Sequence, residues 1–324
     1  MSYLFKENRP DVTVSVQDDD TREGAAVEYR HPAIFDEVHQ EPVDLLPNMS
    51  VDVNGILKDG FVRLVDFMPR MRPTGTTLDY AIVQAARVSY GAGTKTHRDD
   101  VGLIRHLLRN KHTSPFEMVE LKFHVKMPIF VARQWVRHRT ASINEYSGRY
   151  SEMPDECYIP EEWRGQGKNN RQGSEGVVEY EPSQSYEDPS LPLHLIEQAN
   201  AEGVAFQEYK TRLEAGVSRE LARTCLPLST FTEWYWKIDL HNLMHFLRLR
   251  LDSHAQEEIR VYGCAIDAII SKLFPSTHSA FRDFIVESMT LSRLEIDALK
   301  GVEVEFPTKG EAAAWEEKKK LLGI

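Results

Sequence analysis

Four arginines, one histidine, two serines, an asparagine and a glutamate fall within the eighteen residues "RQWVRHRTASINEYSGRY", Arg133 to Tyr150. A guanidinium presents a rigid fork of donors that matches phosphate or carboxylate oxygens two at a time. Arg133, Arg137, Arg139 and Arg149, gathered in so short a stretch, point to an anionic guest. Gathered arginines also repel one another, so the cluster needs carboxylates such as Glu145 close by, or a bound phosphate. The competing reading is a solvated arginine-rich face paired with acidic surface. Asn144, Glu145, Tyr146 and Ser147 add acceptors beside donors, the mixture needed to read a base edge such as that of uracil, with its two carbonyls and one N–H. This favours a nucleotide over plain phosphate.

Other chemistries find less support. The chain has no G-x-x-x-x-G-K-[ST] and no G-x-G-x-x-G, which removes the common nucleotide folds, and no G-x-S-x-G elbow. His241 and His245 share one helical face with Asp239 and His254 nearby, a conceivable metal set. The glutamate of H-E-x-x-H is absent, however, and no third ligand sits at a telling distance, so no metal site is expected. Cys157, Cys225 and Cys264 are the three cysteines; they form no C-x-x-C pair, arguing against a thiolate metal site or a disulfide framework and for a reducing, cytoplasmic setting. A net charge of −11 over 324 residues would repel a polyanion or an anionic membrane, so no nucleic-acid partner is expected. The first twenty residues lack an apolar leader and no apolar run is long enough to span a bilayer, so neither secretion nor a membrane anchor is expected.

The elements that must hold the arginine stretch are legible from periodicity. Residues 1–54 mix acids with scattered Pro and lack sustained periodicity, which reads as an extension with at most short ordered pieces. A catalytic domain is expected over 55–300, and 301–324 reads as a tail or surface helix through "GEAAAWEEKKKLLG". "FVRLVDF" is a strand candidate; "LDYAIVQAARVSY" and "VGLIRHLLRN" are amphipathic helices, the second with Val101, Ile104, Leu107 and Leu108 on one face. In "MVELKFHVKM", Val119, Leu121, Phe123, Val125 and Met127 alternate with polar residues, the pattern of a strand with one buried face. Pro128 then opens a helix that buries Ile129, Ala132, Trp135 and Val136 and projects Arg133, Gln134 and Arg137 from its other side. Residues 152–193, rich in Gly, Pro, Ser, Asn and Gln, read as an inserted loop, without order of its own or closing as a lid. Helices through "LIEQANAEGVAFQEYKTRLEAG" and "SRELART", a strand at "LSTFTEWYWKI" and a helix at "LHNLMHFLRLRL" follow. A last long helix, through "SHAQEEIRVYGCAIDAIISKLF", starts at a Ser253/Gln256 capping box and buries Ile259, Tyr262, Ile266, Ile269 and Leu273.

Arg137-His138-Arg139, seven residues, then Ser147 resembles the signature of the flavin-dependent thymidylate synthases. "HTSPFE" from His112, "ARTCLPLSTFTEWYW" from Ala222 and "LHNLMHFLRLRLDSHAQEEIR" from Leu240 resemble the family's other blocks in the same order, covering about Phe61 to Phe274. The resemblance implies an α+β fold with a twisted, largely antiparallel sheet flanked by helices. It implies a homotetramer holding FAD and dUMP at subunit interfaces, with methylenetetrahydrofolate as carbon donor, NADPH as reductant and dTMP as product. By motif position, Ser114, Arg137, His138, Arg139, Glu145, His241 and His245 would contact FAD, and His112 would lie beside the flavin ring. Gln134, Arg137, Glu145, Ser147, Arg149, Arg223 and Arg250 would contact dUMP, with Arg250 favouring ionisation of the ring at N3. Asp239 stands where the family commonly has asparagine, which changes the hydrogen bond offered to the cofactor. Hydride delivery by reduced flavin needs no enzyme nucleophile, and none of the three cysteines follows a proline as in the classical thymidylate synthases. Ser147, lacking an evident base, is expected to position or polarise the pyrimidine. The rival readings are a metal-dependent phosphohydrolase using the histidines and an arginine-rich nucleotide-binding module.

Overall fold

The computed structural model describes residues 14–16, 40–42, 49–52, 57–73, 75–90, 100–167, 173–178 and 193–324. In chain order the strands and helices are β1 (Val14–Val16), β2 (Gln40–Pro42), β3 (Met49–Asp52), β4 (Phe61–Met68), β5 (Met71–Pro73), α1 (Asp79–Arg87), α2 (Asp100–Arg109) and α3 (Ser114–Glu117). Then come β6 (Glu120–Pro128), α4 (Ile129–Trp135), β7 (Ser142–Glu145), β8 (Arg164–Gln166), β9 (Ser174–Val177), α5 (Leu193–Glu214) and α6 (Arg219–Ala222). The last elements are β10 (Phe231–Asp239), α7 (Leu240–Arg250), α8 (Glu257–Leu273), α9 (Pro275–Phe281), α10 (Arg293–Leu299) and α11 (Lys309–Leu322). Residues 1–286 form one compact unit and 287–324 another. Apart from β1, β2 and β3, the 1–54 extension lies outside the described residues, as do 168–172 and 179–192 of the inserted stretch.

The sheet runs β1-β3-β4-β6-β10-β7, and each of its pairings is antiparallel. Its spine is β6, where the alternation read from the sequence holds: Leu121, Phe123, Val125 and Met127 are fully buried, each worth roughly 1.5–3 kcal/mol of burial. The other face pairs with its neighbours, His124 Nε2 meeting a Glu233 carboxylate oxygen at 2.8 Å and Lys122 Nζ reaching Asp66 at 3.4 Å. Gly60 is required where β4 begins, because a Cβ there would collide with the Tyr262 hydroxyl, which donates to Lys126 O at 2.8 Å.

The core gathers on one aromatic residue of the arginine stretch. Trp135 is fully buried, stacks on Phe246 at 4.9 Å and meets Trp236, Trp234 and Tyr262 edge-on at 5.1, 5.7 and 5.8 Å. Edge-to-face and offset pairs of this kind add about 0.5–1.5 kcal/mol each beyond area burial. The helix carrying Gln134 is thereby anchored against β10, α7 and α8 at once.

Several local expectations differ from the structure: within the inserted stretch, read as a loop without order of its own, β8 and β9 pair as an antiparallel hairpin, because backbone pairing there does not depend on an apolar pattern. Val101 is 51% exposed while Ile104, Leu107 and Leu108 are buried, because Val101 falls in the first turn of α2, at the end of its packed stripe. Helix α4 stops at Trp135, leaving Arg137 and His138 in the turn that follows. No capping box forms at Ser253: α8 begins at Glu257 with Gln256 as its N-cap residue, and Gln256 makes no side-chain cap bond. Among the described residues capping boxes form at Ser292 with Glu295, opening α10, and at Thr308 with Glu311, opening α11. In the 287–324 unit, Lys318 also bonds both Glu295 carboxylate oxygens, at 2.7 and 2.9 Å.

Among the described residues no helix is long and apolar enough to cross a membrane.

Candidate functional site

Arg250 is the last residue of α7, held close to α8 by the absence of a side chain at Gly263, where a Cβ would lie 3.1 Å from that of Arg250. Its guanidinium is half-buried and, among the described residues, faces no carboxylate: it makes one long hydrogen bond there, Nη2 to Gln134 O at 3.4 Å, and its Nε is sealed from solvent with no partner among them. Burial alone holds it below the ordinary arginine range. A desolvated cation without a counter-charge is costly, and a group kept in that state is poised for a ligand that brings acceptors or negative charge.

Gln134 lies beside it. Its Nε2 donates to Gln256 Oε1, and its backbone oxygen accepts from Arg250. Gln256 was legible in the sequence only as a capping residue, which it is not. The sequence carries no signal for a contact across 122 positions.

Ser147, Gly148 and Arg149 follow β7. A Cβ at Gly148 would lie 2.6 Å from Met153 Sδ and 3.2 Å from Arg223 Cδ, so the missing side chain lets this backbone approach the arginine of the "ARTCLP" block. Ser147 Oγ accepts from the Arg149 amide at 3.4 Å. Arg149 Nε stands 3.6 Å from Glu220, which with Arg223 belongs to one short helical segment. The carboxylate that faces Arg149 is thus an exposed Glu220 rather than Glu145. Glu145 Oε1 instead accepts from Thr232 Oγ1 at 2.9 Å across the β7–β10 pairing. The pairing fixes its position because β7 is an edge strand and the two residues sit on adjacent strands.

The histidines form a second group. His138 is buried, its ring 5.5 Å from that of His245 and 5.5 Å from Phe246, with Nε2 3.0 Å from Thr140 Oγ1. Burial, and then neighbouring His245, push its pKa down, so the ring is held neutral. Asp239 caps α7: its carboxylate accepts from the Asn242 amide at 2.8 Å and from Asn242 Nδ2 at 2.6 Å. This role follows from its place between β10 and α7, since a carboxylate at a helix start satisfies free N–H groups and complements the dipole. Among the described residues no three His, Cys, Asp or Glu side chains converge as metal ligands.

Helix α3 packs against α7, bringing the "HTSPFE" turn onto the helix that carries His241 and His245. Ser114 and His112 are exposed there, the His112 ring 5.8 Å from that of His106. Arg137 and Arg139 are exposed as well. His138 meets α7 through the ring of His245, so the "HTSPFE" turn and the residue after Arg137 both lie against that helix. Two of the cysteines are engaged within the fold: burial pushes the Cys157 thiol up, and Cys225 Sγ donates to Ala222 O and Ala205 O at 3.4 and 3.5 Å.

Comparisons with known proteins point to one family. A family model described as thymidylate synthase complementing protein matches residues 73–276. A flavin-dependent thymidylate synthase from Dictyostelium discoideum is 54% identical over 266 residues, spanning 81% of this chain and 85% of that protein. One from Thermus thermophilus is 53% identical over 247 residues, spanning 76% and 84%. Among solved structures, a UMP/dUMP methylase from Streptomyces cacaoi bound with 5-Br dUMP superposes with a TM-score of 0.59 at 35% identity, covering 70% of this chain and 97% of that one. On the family model and on relatives identical at more than half of the aligned positions, the chain belongs to the flavin-dependent thymidylate synthases.

Proposed function

We propose that this chain catalyses the reductive methylation of dUMP to dTMP, with FAD as cofactor, methylenetetrahydrofolate as carbon donor and NADPH as reductant. The observation that carries this reading is Arg250, a half-buried guanidinium whose sealed Nε has no partner, and which has no carboxylate nearby, among the described residues. Bound flavin would supply the hydride. The residues of the chain do the rest. Arg250 donates to the pyrimidine edge and stabilises negative charge developing at N3 and the adjoining carbonyl. A preorganised donor of this kind is typically worth about 3–4 kcal/mol of barrier. Arg149 and Arg223, brought near one another by Gly148, bind the nucleotide phosphate with Arg137, while Gln134 and Ser147 orient the ring. Ser114, Arg137, His138, Arg139, His241 and His245 hold the flavin dinucleotide, with His112 beside the ring. Glu145 joins the pocket from the β7 edge, where Thr232 fixes one of its oxygens. Asp239 contributes through the α7 cap that aims His241 and His245 rather than by its own contact.

The exposure of Arg137, Arg139 and Arg149 on one protomer supports sites completed by neighbouring subunits, in a homotetramer. The phosphohydrolase alternative would draw on Asp239 beside the histidines, and the Asp239 carboxylate serves as the cap of α7 through Asn242. A polynucleotide-binding module fits poorly with a net charge of −11.

The test is turnover by the purified chain. Protein loaded with FAD should convert dUMP to dTMP when given methylenetetrahydrofolate and NADPH, and NADPH should bleach its visible absorption. Protein that takes up no flavin, or that holds flavin and forms no dTMP, would overturn the proposal.

A further inference from the structure

We propose that Gln256 is a specificity-determining residue of the pyrimidine site, acting through Gln134; the inference rests on the function proposed above. A carboxamide has two ends of opposite character, and a neighbouring hydrogen bond decides which end faces the ligand. Here Gln134 Nε2 is committed to Gln256 Oε1. The carbonyl end, Gln134 Oε1, has no hydrogen-bond partner among the described residues. Gln134 therefore presents an acceptor, and Arg250, hydrogen-bonded to the backbone oxygen of the same residue, presents donors beside it. Acceptor next to donor complements a pyrimidine-2,4-dione, whose N3–H stands between two carbonyl oxygens. A cytosine edge, with an unprotonated N3 and an exocyclic amine, would set acceptor against acceptor at the ring nitrogen.

Gln256 is itself firmly placed. The two residues after it open α8, and both carboxylates bond Arg164 of the β8–β9 hairpin: Glu257 at 2.8 Å and buried Glu258 at 2.5 Å. Tyr158 Oη also donates to Glu258, at 3.1 Å. Since Gln256 spends no side-chain bond on capping α8, its carboxamide is available to orient Gln134 without cost to the helix.

The experiment measures the affinities of the flavin-loaded enzyme for dUMP and for its N3-methyl analogue, in wild type, Gln256→Met, Gln134→Met and the double variant. Wild type should prefer dUMP. Gln256→Met releases the Gln134 carboxamide to turn, so the preference should fall about fivefold to tenfold, the worth of one hydrogen bond. Once Gln134 is methionine, Gln256→Met should change the preference no further. A ratio of two affinities is independent of the fraction folded, so loss of stability cannot imitate this result. Unchanged preference in Gln256→Met, or equal losses in both backgrounds, overturns the role of Gln256 and leaves the dTMP assay untouched. Wild type that binds neither nucleotide overturns the proposed function instead.

Discussion

Replacing Arg250 by methionine should separate stability from activity in opposite directions. The guanidinium contributes little to folding: one hydrogen bond at 3.4 Å, a 5.8 Å approach to the Phe246 ring, and a buried Nε that receives nothing for its desolvation. A bond from a charged donor is worth about 1.5–3 kcal/mol at ordinary length and less when stretched, while an unsatisfied buried donor costs about 1–3 kcal/mol, so the two roughly cancel. Methionine keeps much of the apolar stem that packs beside Gly263 and removes the charge. Arg250→Met should therefore leave the unfolding free energy unchanged or raise it by up to about 2 kcal/mol. Activity moves the other way: loss of about 3–4 kcal/mol of charge stabilisation corresponds to a fall of about 10²–10³ in kcat. Urea unfolding and dTMP formation by the same flavin-loaded preparation supply both numbers. A variant destabilised by more than 2 kcal/mol with turnover inside tenfold of wild type would refute the reasoning, marking Arg250 as a structural residue.

Other perturbations probe the frame around it. Asp79 is buried and accepts from the Ser276 amide at 3.0 Å, the Thr277 amide at 2.9 Å and Thr277 Oγ1 at 2.6 Å, fixing the start of α9; Asp79→Ala should cost about 2–4 kcal/mol in thermal or urea unfolding. Gly148→Ala forces Met153 and Arg223 aside, so dUMP affinity should fall several-fold while the melting temperature holds; unchanged affinity would detach Gly148 from the substrate site. His138 titrates below its unfolded value of 6.5. Its contribution to stability is therefore complete above that pH and is lost as pH falls from 6.5 through the lower folded value. His138→Gln should flatten that acid limb in melting temperatures measured between pH 5 and pH 8.

The framework of the fold was readable because periodicity reports burial: the alternation in β6 and the stripe from Ile259 to Leu273 in α8 both lie where the pattern placed them. The arginine motif was readable because its residue types carry their chemistry with them. Contacts between distant segments were not. Ser253 and Gln256 have the spacing of a capping box, yet the helix starts one turn later and Gln256 turns to Gln134, a choice made by tertiary packing that local spacing does not encode. Glu145 sits among the arginines in sequence, but the antiparallel register against β10 gives it to Thr232 and leaves Glu220 to face Arg149. Gly148 and Gly263 look like ordinary glycines until the backbone each must approach is in place.

Under the proposed function Arg250, half-buried and facing no carboxylate among the described residues, receives the edge of a pyrimidine nucleotide. A crystal structure of the flavin-loaded chain with dUMP tests it most directly: the account places a pyrimidine carbonyl oxygen or N3 within hydrogen-bonding distance of the Arg250 guanidinium, and the phosphate on Arg149 and Arg223. Nucleotide bound elsewhere, with Arg250 turned to a carboxylate of the protein, would contradict it.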